Sequence, residues 1–184
     1  MLGALVERVS GMTLDKYFEL HVAQPLGLAN TRFLPPPSWK PRIAPSDYAQ
    51  RVLGEGRRIL HLRGTVNDPT ARRMGGVAGH AGIFSTADDL ARYAQWWLDR
   101  EKLLSPATME TMTTPQQPPN ATVLRGLGWD IDSPYSTNRG ELLPVGGFGH
   151  TGWTGTSLWI DPATRTYIII LSNATHPKGR PGRA

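Results

Sequence analysis

Residues 148–171 read Phe148-Gly149-His150-Thr151-Gly152-Trp153-Thr154-Gly155-Thr156-Ser157-Leu158-Trp159-Ile160-Asp161-Pro162-Ala163-Thr164-Arg165-Thr166-Tyr167-Ile168-Ile169-Ile170-Leu171. Upstream, apolar residues recur at helical spacing; here they run in short extended segments. Phe148 to Thr151, Ser157 to Ile160 and Thr166 to Leu171 are predicted strands. Asp161-Pro162-Ala163-Thr164 supplies the turn that makes the last two an antiparallel hairpin. Tyr167 to Leu171 is apolar at every position instead of alternating, which predicts a strand covered on both faces.

Working outward, Leu2, Leu5, Val6 and Val9 repeat at helical spacing, with Gly11 where a left-handed C-terminal residue belongs. A second helix is predicted from Thr13 as N-cap through Leu14, Tyr17, Phe18, His21 and Val22 to Pro25. The run from Pro35 to Pro45 is too rich in Pro for helix or central strand and reads as a surface loop. Asp68-Pro69 pairs a capping residue with a Pro at the first helical position, predicting a short helix over Thr70 to Met74. The clearest helix is Ser85 to Leu98, with hydroxyl caps, acids in the first turn and an apolar face of Leu90, Tyr93, Ala94 and Trp97. Another opens at Ser105-Pro106 and closes near Thr113-Thr114-Pro115, presenting Met109 and Met112. The Trp pair at 96 and 97 and the Met pair read as packing residues.

These elements predict a helical region over 1–144, antiparallel strands over 145–174 and a tail over 175–184. An apolar helix that starts uncapped at Met1, and a tail too polar to cover the last strand, predict a chain truncated at both ends.

The bulk properties narrow the function. With 184 residues, 39% hydrophobic, 19% charged, 20 Gly and 16 Pro, the chain is a globular protein rich in turns. No apolar run approaches the roughly 18 residues of a membrane span, and Glu7 and Arg8 interrupt the start where a signal peptide would stay apolar. Zero Cys excludes disulfides, thiolate metal sites and a cysteine nucleophile. The net charge of +5 comes mostly from scattered Arg, such as Arg57-Arg58 and Arg72-Arg73, without the aromatic-interleaved stripe of a nucleic-acid surface. The five His, at 21, 61, 80, 150 and 176, lack metal-ligand spacing, so no metal and no cofactor are expected. His80, alone in a Gly-rich loop, reads as structural.

Gly149 to Thr156 resembles the third active-site motif of the β-lactamase and penicillin-binding-protein superfamily, with His150 where Lys-Thr-Gly has Lys. Gly75 to Arg92 is similar to that superfamily's helical-region signature. Gly126-Leu127-Gly128-Trp129 and the Trp159-Ile160-Asp161-Pro162 hairpin match its class-C-like branch. The resemblance implies an α/β (α+β) fold, a partial β-lactamase/transpeptidase-like arrangement of helices followed by antiparallel strands. It implies acyl transfer to water through an acyl-serine intermediate on a small-molecule ester, β-lactam or D-alanyl peptide, in a protein that is often exported or periplasmic. On an edge strand lining the cleft, Trp153 N–H would be an oxyanion-hole donor. Thr151 and Gly152 would bind substrate, and His150 would hold its carboxylate or relay protons. Imidazole in water titrates at about pH 6.5, so His in place of Lys makes that role pH-dependent.

The superfamily's Ser-x-x-Lys and Tyr-x-Asn motifs are missing from these residues. The four Lys, at 16, 40, 102 and 178, follow Thr13, Pro37, Asp99 and Thr175 by three places, and none of these is Ser. Tyr135-Ser136-Thr137-Asn138 is one residue too long for the second motif and reads as a turn. There is no Gly-x-Ser-x-Gly elbow either. A chain inactive by itself is therefore expected; the alternative is a non-catalytic binding module or a decayed remnant.

Overall fold

The computed structural model describes residues 1–53 and 56–177; the anticipated tail lies, from 178 on, outside the described residues. The chain gathers into two compact units, one of Met1–Thr86 with the segment from Ser172 on, the other of Ala87–Leu171.

In the first unit, α1 (Leu2–Ser10) ends as its sequence predicts, with Gly11 at φ 70 donating its N–H to Glu7 O. Its apolar stripe, however, faces outward: Leu2, Leu5 and Val9 are exposed. The α-helix α2 (Leu14–Phe18) continues as a π-helix over Glu19–Ala23 and stops before Pro25. Thr13 does not cap α2 with its hydroxyl. Glu7 takes that place, accepting from Leu14 N–H at 3.0 Å, because α1 lies close enough in sequence for its carboxylate to reach back. The Thr13 hydroxyl instead holds the Asp15 carboxyl below its ordinary pKa.

The Pro-rich loop contains a short 3-10 helix, Pro37–Arg42. The φ of Pro suits that tighter turn even where an α-helix would lose a hydrogen bond. The strands β1 (Asp47–Leu53) and β2 (Gly56–Leu62) then form an antiparallel hairpin in register Asp47↔Leu62, inside the stretch expected to be helical. In α3 (Pro69–Arg73) the Asp68 carboxylate caps Ala71 N–H at 2.6 Å, as Asp-Pro predicts. Val66, Ala71 and Ala78 form a small core. Phe18 and Phe33 meet edge to face, with ring centres 5.8 Å apart.

The second unit begins with α4 (Ala87–Asp99), which buries Ala94, Trp96, Trp97 and Leu98. Next comes α5 (Pro106–Thr113), capped by Ser105 and burying Met109. Five antiparallel strands follow: β3 (Leu124–Arg125), β4 (Asp130–Asp132), β5 (Phe148–Thr151), β6 (Ser157–Asp161) and β7 (Thr166–Ile170), adjacent in chain order. The sheet thus starts before residue 145, with two strands too short to show a period. Trp97 packs on Trp129 at 5.3 Å and on Phe148 at 5.7 Å between ring centres, an aromatic cluster that fastens α4 to the sheet. The β6–β7 turn is closed by Asp161, which accepts from Ala163 N–H and the Thr164 hydroxyl.

Among the described residues β7 is covered on one face only, so the second cover that its all-apolar sequence calls for is not supplied by them. Tyr167 and Ile169 are half-buried on the side where α4 packs, while Ile168 and Ile170 are 41% and 44% exposed. As the last strand in the order, β7 also leaves one edge without a ladder partner among the described residues.

Candidate active site

The four motif residues leave the sheet through β5. Its pairs with β6 run Phe148↔Ile160, Gly149↔Trp159, His150↔Leu158 and Thr151↔Ser157. Just past the strand, Gly152 N–H donates to Thr156 O at 2.7 Å, which sets the phase of the ladder. Bonded and non-bonded pairs alternate in an antiparallel ladder, so His150 exchanges main-chain bonds with Leu158. The main-chain groups of Gly149 and Thr151 then point to the opposite edge. Gly149 meets Asp130 of β4 there, and that is the single β4–β5 pair. Although β5 lies inside the strand order, its edge from Thr151 onward has no ladder partner among the described residues. The edge-strand expectation therefore holds for the second half of the strand only.

Paired residues share a face of the sheet. Gly149 sits on the same face as Trp159 and Asp130, while Phe148 and His150 share the other. Only Gly fits at 149: a Cβ would lie 2.3 Å from Leu158 O and 2.4 Å from Trp159 Cε3. Trp159 is fully buried and donates Nε1–H to Asn138 Oδ1 at 3.0 Å. The 3-10 turn Ser136–Arg139 is thereby tied to the ring that lies under the motif. A Cβ on Gly152 would likewise lie 2.3 Å from Thr156 Oγ1, so the chain closes tightly behind Thr151.

His150 is exposed, and its Nδ1 lies 2.7 Å from Thr151 O. A carbonyl only accepts, so Nδ1 carries a proton in that contact. In the neutral ring Nε2 is then the lone-pair nitrogen, and in the charged ring it becomes a second donor. Thr151 and Gly152 are half-buried and Trp153 is 67% exposed. All four predicted residues are thus consecutive along one strand end.

Two neighbours were not singled out by their sequence. Asn138 belongs to the run read as a turn, and nothing in that run announces its bond to Trp159. Asp130 is fully buried; Oδ2 accepts from Ser133 Oγ at 2.8 Å and lies 3.9 Å from Arg125, while Oδ1 has no hydrogen-bond partner among the described residues. A cavity of about 480 Å³ is lined by Asp132, Ser136, Arg139, Glu141 and Leu143 among others, and none of the four motif residues lines it. His80 pairs with Asp68 at 3.1 Å, a structural contact beside the α3 cap. Among the described residues no three His, Asp or Glu side chains come together as a metal-binding group.

The comparisons with known proteins agree with the motif. The sequence family described as Beta-lactamase matches residues 1–184. The chain belongs to the β-lactamase family. A relative from Salmonella schwarzengrund, "Putative D-alanyl-D-alanine carboxypeptidase", is 37% identical over 96% of this chain. The chain spans 44% of that relative's length. A β-lactamase from Mycobacterium bovis superposes with a TM-score of 0.63 at 26% identity, over 94% of this chain and 53% of its own. A hydrolase with promiscuous acyltransferase activity has the same fold, with a TM-score of 0.65 at 24% identity over 94% of this chain and 49% of its own. The chain is a member of a serine hydrolase superfamily with a mixed helix and antiparallel-sheet fold. Among the described residues no helix is long and apolar enough to cross a membrane.

Proposed function

We propose that His150, Thr151, Gly152 and Trp153 form the substrate-binding wall of an acyl-serine hydrolase whose nucleophile lies outside these 184 residues. The observation that carries this reading is the strand end itself. The main-chain edge at Thr151 has no ladder partner among the described residues and adjoins an imidazole already oriented by its own Nδ1–H. An extended acyl substrate can add to such an edge as a further strand would. The Trp153 N–H then faces the acyl oxygen as it gains charge, and Thr151 and Gly152 contact the body of the substrate. His150 acts through Nε2, as an acceptor when neutral or as a cationic donor to a substrate carboxylate when protonated.

Among ester, β-lactam and D-alanyl peptide substrates, the name carried by the Salmonella relatives favours the D-alanyl peptide. The nucleophile is expected on a Ser-x-x-Lys helix encoded before Met1, followed by a Tyr-x-Asn motif. Sequencing the DNA upstream of Met1 tests this directly, and in-frame stop codons there would count against it. The purified chain should show no Ser-dependent turnover of a chromogenic ester, a β-lactam or a D-alanyl-D-alanine peptide. Turnover abolished by a serine-directed acylating agent would overturn the missing-nucleophile reading. If the charged ring of His150 holds a substrate carboxylate, His150→Lys in a longer form carrying both motifs should retain activity and flatten the pH profile; complete loss would favour the neutral imidazole instead.

A further inference from the structure

Away from the motif, in the first unit, two guanidinium groups converge on one indole. Arg42 Cζ lies 4.5 Å and Arg32 Cζ 6.0 Å from the ring centre of Trp39. Neither Arg forms an ion pair with a carboxylate among the described residues. Two cations held over one ring repel each other, and the usual compensation by an acidic side chain is missing among the described residues.

The cluster is also held in place. The main chain of Arg32 is bonded both ways to Phe84, at 3.0 and 2.9 Å, and its Nε–H donates to Phe33 O. Arg42 donates Nη2–H to Asn30 Oδ1 at 2.9 Å. Trp39 lies within the 3-10 helix Pro37–Arg42, whose prolines fix the backbone. Each guanidinium thus spends one nitrogen on an anchor, and no carboxylate pairs with the others among the described residues. Arg32 also lines a neighbouring cavity, where the acid on the wall, Glu19, is already paired with Lys16 at 2.9 Å.

The geometry points to a binding site for a compact oxyanion formed by Arg32, Trp39 and Arg42, with a phosphate group as its ligand. A carboxylate would balance only one of the two charges. A phosphate monoester carries about −1.5 to −2 at neutral pH, enough to balance both guanidinium charges. The indole keeps both forks oriented while their outer nitrogens stay available.

The test is a titration of the intact chain followed by the indole N–H resonance of Trp39, assigned through Trp39→Phe. The probes are inorganic phosphate and glycerol 3-phosphate, each against sodium chloride at equal ionic strength. A saturable shift with both phosphates, weakened tenfold or more in Arg42→Gln and in Arg32→Gln, is the expected result. Saturation with glycerol 3-phosphate alone would assign the site to phosphorylated molecules; saturation with inorganic phosphate alone would assign it to the free ion. A shift that follows ionic strength, or affinity unchanged in both variants, would overturn the site. Arg42→Lys keeps the charge and loses the fork. It should bind several-fold more weakly than the parent, and this comparison stands even if the Gln variants fail to fold.

Discussion

Replacing Gly149 with Ala is the sharpest perturbation of the motif strand. The added methyl would sit 2.3 Å from Leu158 O and 2.4 to 2.5 Å from two atoms of the Trp159 ring. These neighbours cannot easily yield: one is a ladder carbonyl, the other a fully buried indole fixed by Asn138. Forcing a methylene-sized group into a filled site costs typically about 1–3 kcal/mol, and a rigid site belongs at the upper end. For a chain of this length that lowers Tm by roughly 5–10 °C. The control is Gly128→Ala, at φ +82 with open space around its Cβ, where only backbone conformation is at stake and the cost is about 1 kcal/mol. Urea unfolding followed by Trp fluorescence gives both values, and hydrogen exchange at Thr151 and Gly152 reports whether the strand end loosens. If Gly149→Ala is no less stable than Gly128→Ala, the close approach of β5 to Trp159 is wrong.

Other expectations concern the rest of the molecule. Trp97→Ala removes the ring shared by Trp129 and Phe148 and should cost roughly 3–5 kcal/mol in urea unfolding; a loss under about 1 kcal/mol would deny the cluster its role. Asp68 is held below its ordinary pKa of 3.8, first by Ala71 N–H and then by His80. A depressed folded-state pKa gives stability that is full above the unfolded value and lost as pH falls through the folded one. Thermal melts below about pH 4 should therefore fall more steeply for the parent than for Asp68→Asn, and parallel curves would remove the linkage. Ile168→Lys with Ile170→Lys should reduce concentration-dependent association seen by light scattering, because both project from the exposed face of the last strand. Unchanged scattering would place any association elsewhere.

Legibility in the sequence followed the strength of local signals. The helix α4 was readable because acids, hydroxyls and an apolar stripe all agreed over thirteen residues. The β6–β7 hairpin was readable because its turn chemistry is local to Asp161–Thr164. The strands β3 and β4, of two and three residues, are too short for any period to appear. Thr13 is the N-cap residue of α2, as its sequence predicts, but the side-chain oxygen that meets the first helical donor comes from Glu7, six residues before the cap position, a partner that local sequence does not announce. The apolar run of β7 indicated burial, yet only α4 on one side supplies it within the unit. At the candidate site the four motif residues could be named from the resemblance. The need for Gly at 149 and the part played by Asn138 depend on which residue lies across the ladder, and register is a long-range fact.

The π-helical turn at Glu19–Ala23 bears on how this chain tolerates changes in length. Such a turn, closed here by Gln24 N–H reaching back to Glu19 O at 2.9 Å, holds one residue more than an α-helical turn. Removing a single residue there lets the same N–H find an acceptor four positions back, and the helix heals. The same deletion in α4 would rotate everything beyond it by about 100°, carrying Trp97 off its aromatic neighbours. Length variants of this protein should therefore differ by single residues in the second helix and keep a fixed count in the fourth.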